Sequence, residues 1–411
     1  MYKSKLLLLL CIVILLSAGC GKKDAMTILS ESGDDIVAIP ILLRVDPETG
    51  EEEYTELIEG FNEEYAGKYR IDAQWIKDTE QGYRERLKML NVYDQLPIII
   101  TDAAFSPDFQ ELMISNERYL NLYPYLEGRE EWEELLEKST DEKIYMVPLN
   151  MGLYSSAGLY YNKELFQKAG IEKFPQTWED FFECLERLQD AGITPLALHG
   201  GGEYWSPMLI STAYMCSTES GKAFLEEYFP KSFDNQNIME MLSCMDVIYD
   251  YTFDDALDIN FNQAQNRFMN GEAAMLANGY WMIQDIEDDM QNEIGFAPFP
   301  GNMMMIDEQM SSWAVISSYS EEEIEGAIEL LTYRHKISEI DEERVGQLEN
   351  EYISVFQQIQ EQFVNYQFRW EEQLLNDFFN TAFPEFIQGN CDCAEFIEKI
   401  DEKLKTIEAQ E

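Results

Sequence analysis

One stretch of this sequence sets two aromatic side chains directly behind turn-forming residues, an arrangement that can present rings to a bound molecule. In Phe268–Trp281 (FMNGEAAMLANGYW), Asn270-Gly271 breaks a helix, with Gly tolerating a positive φ. Glu272–Leu276 reads as a short strand, Asn278-Gly279 as a second turn, and Tyr280-Trp281 follow it. Trp and Tyr on a rigid turn suit a ligand wall, because each ring combines a broad apolar face with a polar tip. The alternative is that both rings are core, and spacing alone favours it. Other chemistry is poorly supplied. Only His199 and His335 are available for His-based catalysis or a His-rich metal site. With 79 acidic residues some Asp/Glu pair always resembles a glycosidase dyad, so pairing carries no information. Asp254-Asp255…Asp258 and Asp285…Asp288-Asp289 lack the EF-hand spacing with its Gly and read as solvated faces. No metal or cofactor is expected.

The elements that must carry such a turn are legible. Asp35–Val45 (DIVAIPILLRV) is β-branched and apolar, a first buried strand. Tyr54, Leu57, Ile58, Phe61 and Tyr65 recur at helical spacing within residues 47–65. Tyr69–Ile76 reads as a second strand, Gly82–Asn91 as a helix and Pro97–Thr101 as a third strand. Strand, helix, strand, helix, strand makes a right-handed parallel α/β sheet, in which ligands lie outside the carboxyl ends of the strands. Arg44, Asp46 and Asp102 fall on that edge, as first-lobe ligand contacts or as surface charges and helix caps. Residues 108–126 read as another helix, Lys143–Pro148 as a strand, 149–156 as a loop and Ala157–Tyr161 as a strand. Asn162–Ile171 is a helix with a Gly stop, and Thr177 is a natural N-cap for the next.

Composition sets the limits. At 411 residues the chain can hold two or three domains with substantial cores. A net charge of −50 repels phosphate backbones and excludes nucleic acid as a partner. Beyond Cys11 and Cys20, five cysteines remain (Cys184, Cys216, Cys244, Cys391 and Cys393), an odd number with no CxxC, which fits neither a disulfide framework nor a zinc site. Lys3 and Lys5 precede the apolar run Leu6–Leu16, too short to span a bilayer comfortably. Leu16-Ser17-Ala18-Gly19-Cys20 then resembles a bacterial lipoprotein signal, with Ser17 where Leu is usual. That resemblance implies that residues 1–19 are removed, that Cys20 is lipidated, and that 20–35 form a tether. The protein is then held at the extracytoplasmic face of the cell membrane by acyl chains. An ordinary signal peptide cut elsewhere is the alternative.

A second resemblance is more specific. EKIYMVPLNMG…GLYYNKELFQKAGI…FPQTWEDFFECLERLQDAGITPLAL resembles the central segment of family 1 extracellular solute-binding proteins, the sugar receptors of ABC importers. FMNGEAAMLANGYW, IGFAPFPG, SSWAVIS and FPEFIQGNCDCAEFIEKI are similar to later segments of that family, so the likeness covers about residues 36–335 and 374–405. It implies an α/β, two-lobed periplasmic-binding-protein-like fold (type II), with residues 36–149 plus 313–350 in the N-terminal lobe and 150–310 plus 352–411 in the C-terminal lobe. Strands would cross between lobes near Leu149–Leu153, Gln309–Trp313 and Asn350–Ser354. A carbohydrate in the cleft would close the lobes, and membrane permease subunits would recognise the closed, monomeric form.

The resemblance also nominates ligand contacts. Flat aromatics cover the C–H faces of a pyranose while Asp, Glu, Asn and Arg satisfy its hydroxyls. Trp281 matches a family Trp that faces the sugar, with Tyr280 beside it as contact or core. Glu203, Tyr204 and Trp205 follow Gly200-Gly201-Gly202 in a loop that carries acidic and aromatic contacts in the family. Trp313 would close the cleft floor, and Asn150 and Tyr154 would line the first crossing. Other readings stay open: a binding module that senses without transport, a receptor for a cationic solute, or an extracytoplasmic carbohydrate enzyme.

Overall fold

The computed structural model describes residues 36–45, 54–78, 80–101, 107–201, 204–227, 230–287, 290–338, 345–364, 370 and 372–408. The lipoprotein signal with Cys20, and the nominated Asp46, Asp102 and Glu203, lie outside them. Two sheets organise the chain. The first has the order β2 (Tyr69–Lys77), β1 (Val37–Val45), β3 (Ile99–Ile100) and β9 (Ala314–Val315). β1 runs parallel to β2 and β3, whereas β9, arriving from far along the chain, is antiparallel to β3. Alternation along β1 explains why this sheet is covered on both faces. Ile39, Ile41 and Leu43 enter one apolar cluster with Phe61, Trp313 and the helix Glu321–Ile337, while Leu42 enters another with Tyr83, Leu87 and Ile100.

The second sheet is built from β10 (Glu361–Phe363), β8 (Met303–Ile306), β4 (Ser156–Asn162), β6 (Ala273–Gly279) and β5 (Thr194–Leu196), with β7 (Ile294–Ala297) pairing β4. β4 is central, pairing β6, β7 and β8; β6 lies between β4 and β5, and every residue of it is buried. Small side chains dominate it (AAMLANG) because helices press on both of its faces. Met303 and Met305 join one cluster and Met304 the opposite one, so this methionine run is core packing. No helix among the described residues is long and apolar enough to cross a membrane.

The segments between the sheets are held by one helix end. The crossings run through Leu149–Leu153 and through the 3-10 turn Glu308–Ser311. Leu149 N donates to Ser311 Oγ at 3.5 Å, linking the two. The helix Glu321–Ile337 ends over them: Arg334 Nη2 donates to Ser311 O at 2.9 Å, while His335 Nδ1 at 2.7 Å and Ser338 Oγ at 2.9 Å both reach Leu149 O. The Arg334 guanidinium also lies 4.1 Å above the Trp313 ring.

Several sequence expectations need correction. Residues 108–126 are not one helix: Pro107–Ser115 stops where Glu117 takes φ 53°, and the chain then runs extended past Tyr119 to the short helix Tyr123–Leu126. Residues 143–148 form no strand, only a single bridge between Val147 and Trp313. Residues 347–358 are a helix whose Leu348 and Tyr352 sit in the second lobe's core, so no crossing strand runs through 350–354 and 347–350 pack with the second sheet. Asn278-Gly279 is not a turn but the end of β6, extended at Gly279 (φ −102°, ψ −178°).

Candidate functional site

The carboxyl end of β6 leads straight into the 3-10 turn Tyr280–Asp285, which carries Trp281. Gly279 is required here by close approach: a Cβ at that position would lie 2.1 Å from the Trp281 ring, which folds back over it. Trp205 opens the helix Trp205–Met215, and Ser206 Oγ donates to Ala277 O at 2.7 Å, fixing that helix start beside β6. Phe261 opens the helix Phe261–Met269, whose first turn is closed by a reciprocal Asn260–Gln263 capping box. Three chain segments thereby bring three half-buried rings together. The Trp205 ring is 4.4 Å from Phe261 and 5.9 Å from Trp281, and buried His199 backs the group at 5.5 Å from Phe261. Side-chain hydrogen bonds tie the segments that carry the rings, starting from the fully buried Asn278. Asn278 Nδ2 donates to Gln265 Oε1 at 3.1 Å, and Gln265 Nε2 to Asp285 Oδ2 at 3.3 Å. Rigid ring faces next to hydrogen-bonding groups can bind a molecule that is apolar on its faces and polar at its rim.

The remaining nominated residues divide. Tyr280 turns away from Trp281; its hydroxyl donates to Glu349, and its ring meets Tyr352 edge-on at 5.3 Å and Tyr154 at 6.4 Å. Burial first, then the hydrogen bond and charge of Glu349, raise its pKa and keep it a donor. Asn150 Oδ1 accepts from Tyr154 N at 2.8 Å, so its side chain shapes the crossing turn. Arg44 is half-buried at the end of β1 and reaches Asp78 O at 3.5 Å, too long for a strong bond.

Two nominations are corrected. Tyr204 is 2 % exposed with its ring against Phe383, and burial pushes its hydroxyl up to about 12; it is core. Trp313 is 1 % exposed beneath Arg334 and belongs to the first lobe's core, not to a cleft floor. Sequence reasoning missed Phe261, although the Asn260…Gln263 cap before it was legible, and Trp75, half-buried near the carboxyl end of β2 and 6.2 Å from Tyr54. Among the described residues no group of His, Cys, Asp and Glu could hold a metal ion. Two hollows lie elsewhere in the second lobe: a core cavity of about 20 Å³ beside Trp370 and Phe379, and an open groove of about 390 Å³ beside Phe182 and Tyr214. Neither includes a ring of the aromatic group.

Residues 49–333 match the sequence model of a family described as bacterial extracellular solute-binding protein. The chain belongs to this family. Among similar proteins, the multiple sugar-binding protein of Streptococcus mutans is 27 % identical over 279 residues, covering 59 % of this chain and 62 % of that protein. The xylose/arabinose-binding protein XacG of Haloferax volcanii is 25 % identical over 168 residues, 39 % of this chain and 36 % of its own. The matches thus span less than two thirds of each of these relatives. The fold likeness reaches further. A chitin oligosaccharide binding protein superposes with a TM-score of 0.72 at 19 % identity, covering 90 % of this chain and 98 % of that one. A Streptococcus pneumoniae solute-binding protein in complex with the blood group A-trisaccharide gives 0.68 at 17 % identity, covering 90 % and 100 %. The family's architecture is two-lobed, and the two sheets with their crossings are this chain's version of it.

Proposed function

We propose that this chain is the extracytoplasmic substrate-binding subunit of an ABC importer, tethered through Cys20, that captures a carbohydrate between its lobes and delivers it to membrane permease subunits. The aromatic group Trp205–Phe261–Trp281 carries the reading, because it offers stacking faces at the carboxyl end of β6, with Gln265 and Asp285 on the helix and turn that carry Phe261 and Trp281. The named sugar specificities of relatives in the family support the same ligand class. Trp75, Arg44 and the nominated Asp46 and Asp102 would supply the first lobe's share; Glu203 and Tyr154 would border the ligand from the second. Lobe closure shifts an equilibrium, so affinity measures how much better the closed form holds the sugar. The net charge of −50 makes a cationic solute the reading to test beside sugars.

The deciding experiment is a thermal-shift screen of mono- and oligosaccharides, amino sugars and polyamines. A ligand at ~100-fold above its dissociation constant adds ~2.7 kcal/mol to stability. A shift with a neutral sugar is expected. A shift with polyamines alone overturns the carbohydrate assignment. Uptake of the identified sugar in a strain lacking the gene should fall; unchanged uptake leaves binding without transport.

A further inference from the structure

The helix Gln347–Gln358 follows the family-matched residues 49–333, yet it makes the contacts that hold the Trp281 turn. It is itself fixed to the second sheet at several points. Tyr352 stacks on Phe296 at 3.8 Å and its hydroxyl donates to Ser156 O at 2.7 Å. Glu351 accepts from Phe296 N at 3.1 Å and from Lys163 Nζ at 2.9 Å. The helix is therefore a post standing on β4 and β7. From it Glu349 takes the Tyr280 hydroxyl, while Tyr352 closes on the Tyr280 ring edge-on. Tyr280 and Trp281 are consecutive and lean in opposite directions, one to this post and the other over Gly279 toward Trp205. The turn cannot rotate about its own axis without breaking one of the two attachments. Tyr154, just after the first crossing, touches the same Tyr280 ring at 6.4 Å, so the attachment also borders the interlobe segment.

We infer that Glu349 and Tyr280 are positioning residues for ligand binding: their hydrogen bond fixes the aim of the turn that carries Trp281, so the 347–358 helix sets affinity without touching the ligand. The inference rests on the reading of Trp281 as a ligand face. Pre-organising the turn removes an ordering cost that binding would otherwise carry.

The test compares Glu349→Ala, Glu349→Gln, Tyr280→Phe and the Tyr280→Phe/Glu349→Ala double variant in the full chain. Two readouts are taken: amide hydrogen exchange of residues 280–285 without ligand, and titration with chitotriose and raffinose separately. Expected are faster exchange across 280–285 in Glu349→Ala and Tyr280→Phe, with β4 unchanged. Each should bind about tenfold more weakly, the scale of one charge-assisted hydrogen bond. The double variant should bind no worse than the single ones. Glu349→Gln, which keeps an acceptor, should recover most of the affinity at an unchanged melting temperature. Wild-type affinity in Glu349→Ala, or unchanged exchange across the turn, overturns the inference. Should neither sugar bind the unmodified protein, the ligand reading fails for those sugars while the exchange comparison still decides the brace.

Discussion

Trp281 and Trp313 are the same residue type in opposite situations, and substitution separates them. Trp281 is half-buried over Gly279, so Trp281→Ala should lose sugar binding by titration calorimetry, on the ~2–4 kcal/mol scale of a hot-spot aromatic, while urea denaturation shows a folded protein. Trp313 is 1 % exposed, so Trp313→Ala should instead cost ~3–5 kcal/mol of stability in the same denaturation assay. Gly279→Ala would place a Cβ 2.1 Å from the Trp281 ring and should weaken binding as Trp281→Ala does. A Gly279→Ala protein that binds normally would show that the ring has room elsewhere. At this scale the sequence singled out Trp281 and Trp205, which the fold brings 5.9 Å apart, although Asn278-Gly279 ahead of Trp281 ends a strand and does not turn the chain. It was silent where partners meet from afar: Phe261 lies 56 residues after Trp205 in the chain. Tyr204 and Trp205, adjacent in sequence, part because the helix begins at Trp205 and its first turn sends successive side chains to different faces.

The helix Glu321–Ile337 is written clearly at its start and obscurely at its end. Ser320 and Glu323 form a capping box, and Ser320→Ala should lower stability by ~1 kcal/mol in thermal denaturation. Its other end holds both crossings through Arg334, His335 and Ser338, a role no local pattern announces because the acceptors are carbonyls of Leu149 and Ser311. Arg334→Ala removes a charged hydrogen bond and a cation–ring contact together, and should cost ~2–4 kcal/mol by urea denaturation. The elements misread from sequence failed for a common reason. Residues 143–148 have strand-like composition but pair at one bridge only, and the crossing expected near 350–354 falls inside an acidic, Gln-rich helix that buries Leu348 and Tyr352. Tertiary neighbours decided both, and propensity carries no record of them.

For the whole molecule, alternating strands and helices made the α/β class legible before any coordinates, because parallel pairing with right-handed crossovers leaves few alternatives. The return of β9 to the first sheet after β4–β8 of the second was not readable from local pattern and came only with family resemblance. Charge acts at this scale as well. With −50 formal charges, self-repulsion opposes compactness, and moving from about 10 mM to about 150 mM salt shortens the Debye length from about 30 Å to about 8 Å. The melting temperature should rise measurably over that range; a flat profile would mean the acidic surface is already neutralised by bound cations. All five described cysteines, Cys184, Cys216, Cys244, Cys391 and Cys393, are unpaired and pack within or against a single core, that of the second lobe. No pair of these thiols spans the two lobes, so an oxidant acting on them has no staple to close across the cleft. Opening and closing on a ligand would then proceed alike in aerobic and anaerobic surroundings, with the half-buried Cys393 available as a handle for a reporter that rides on one lobe alone.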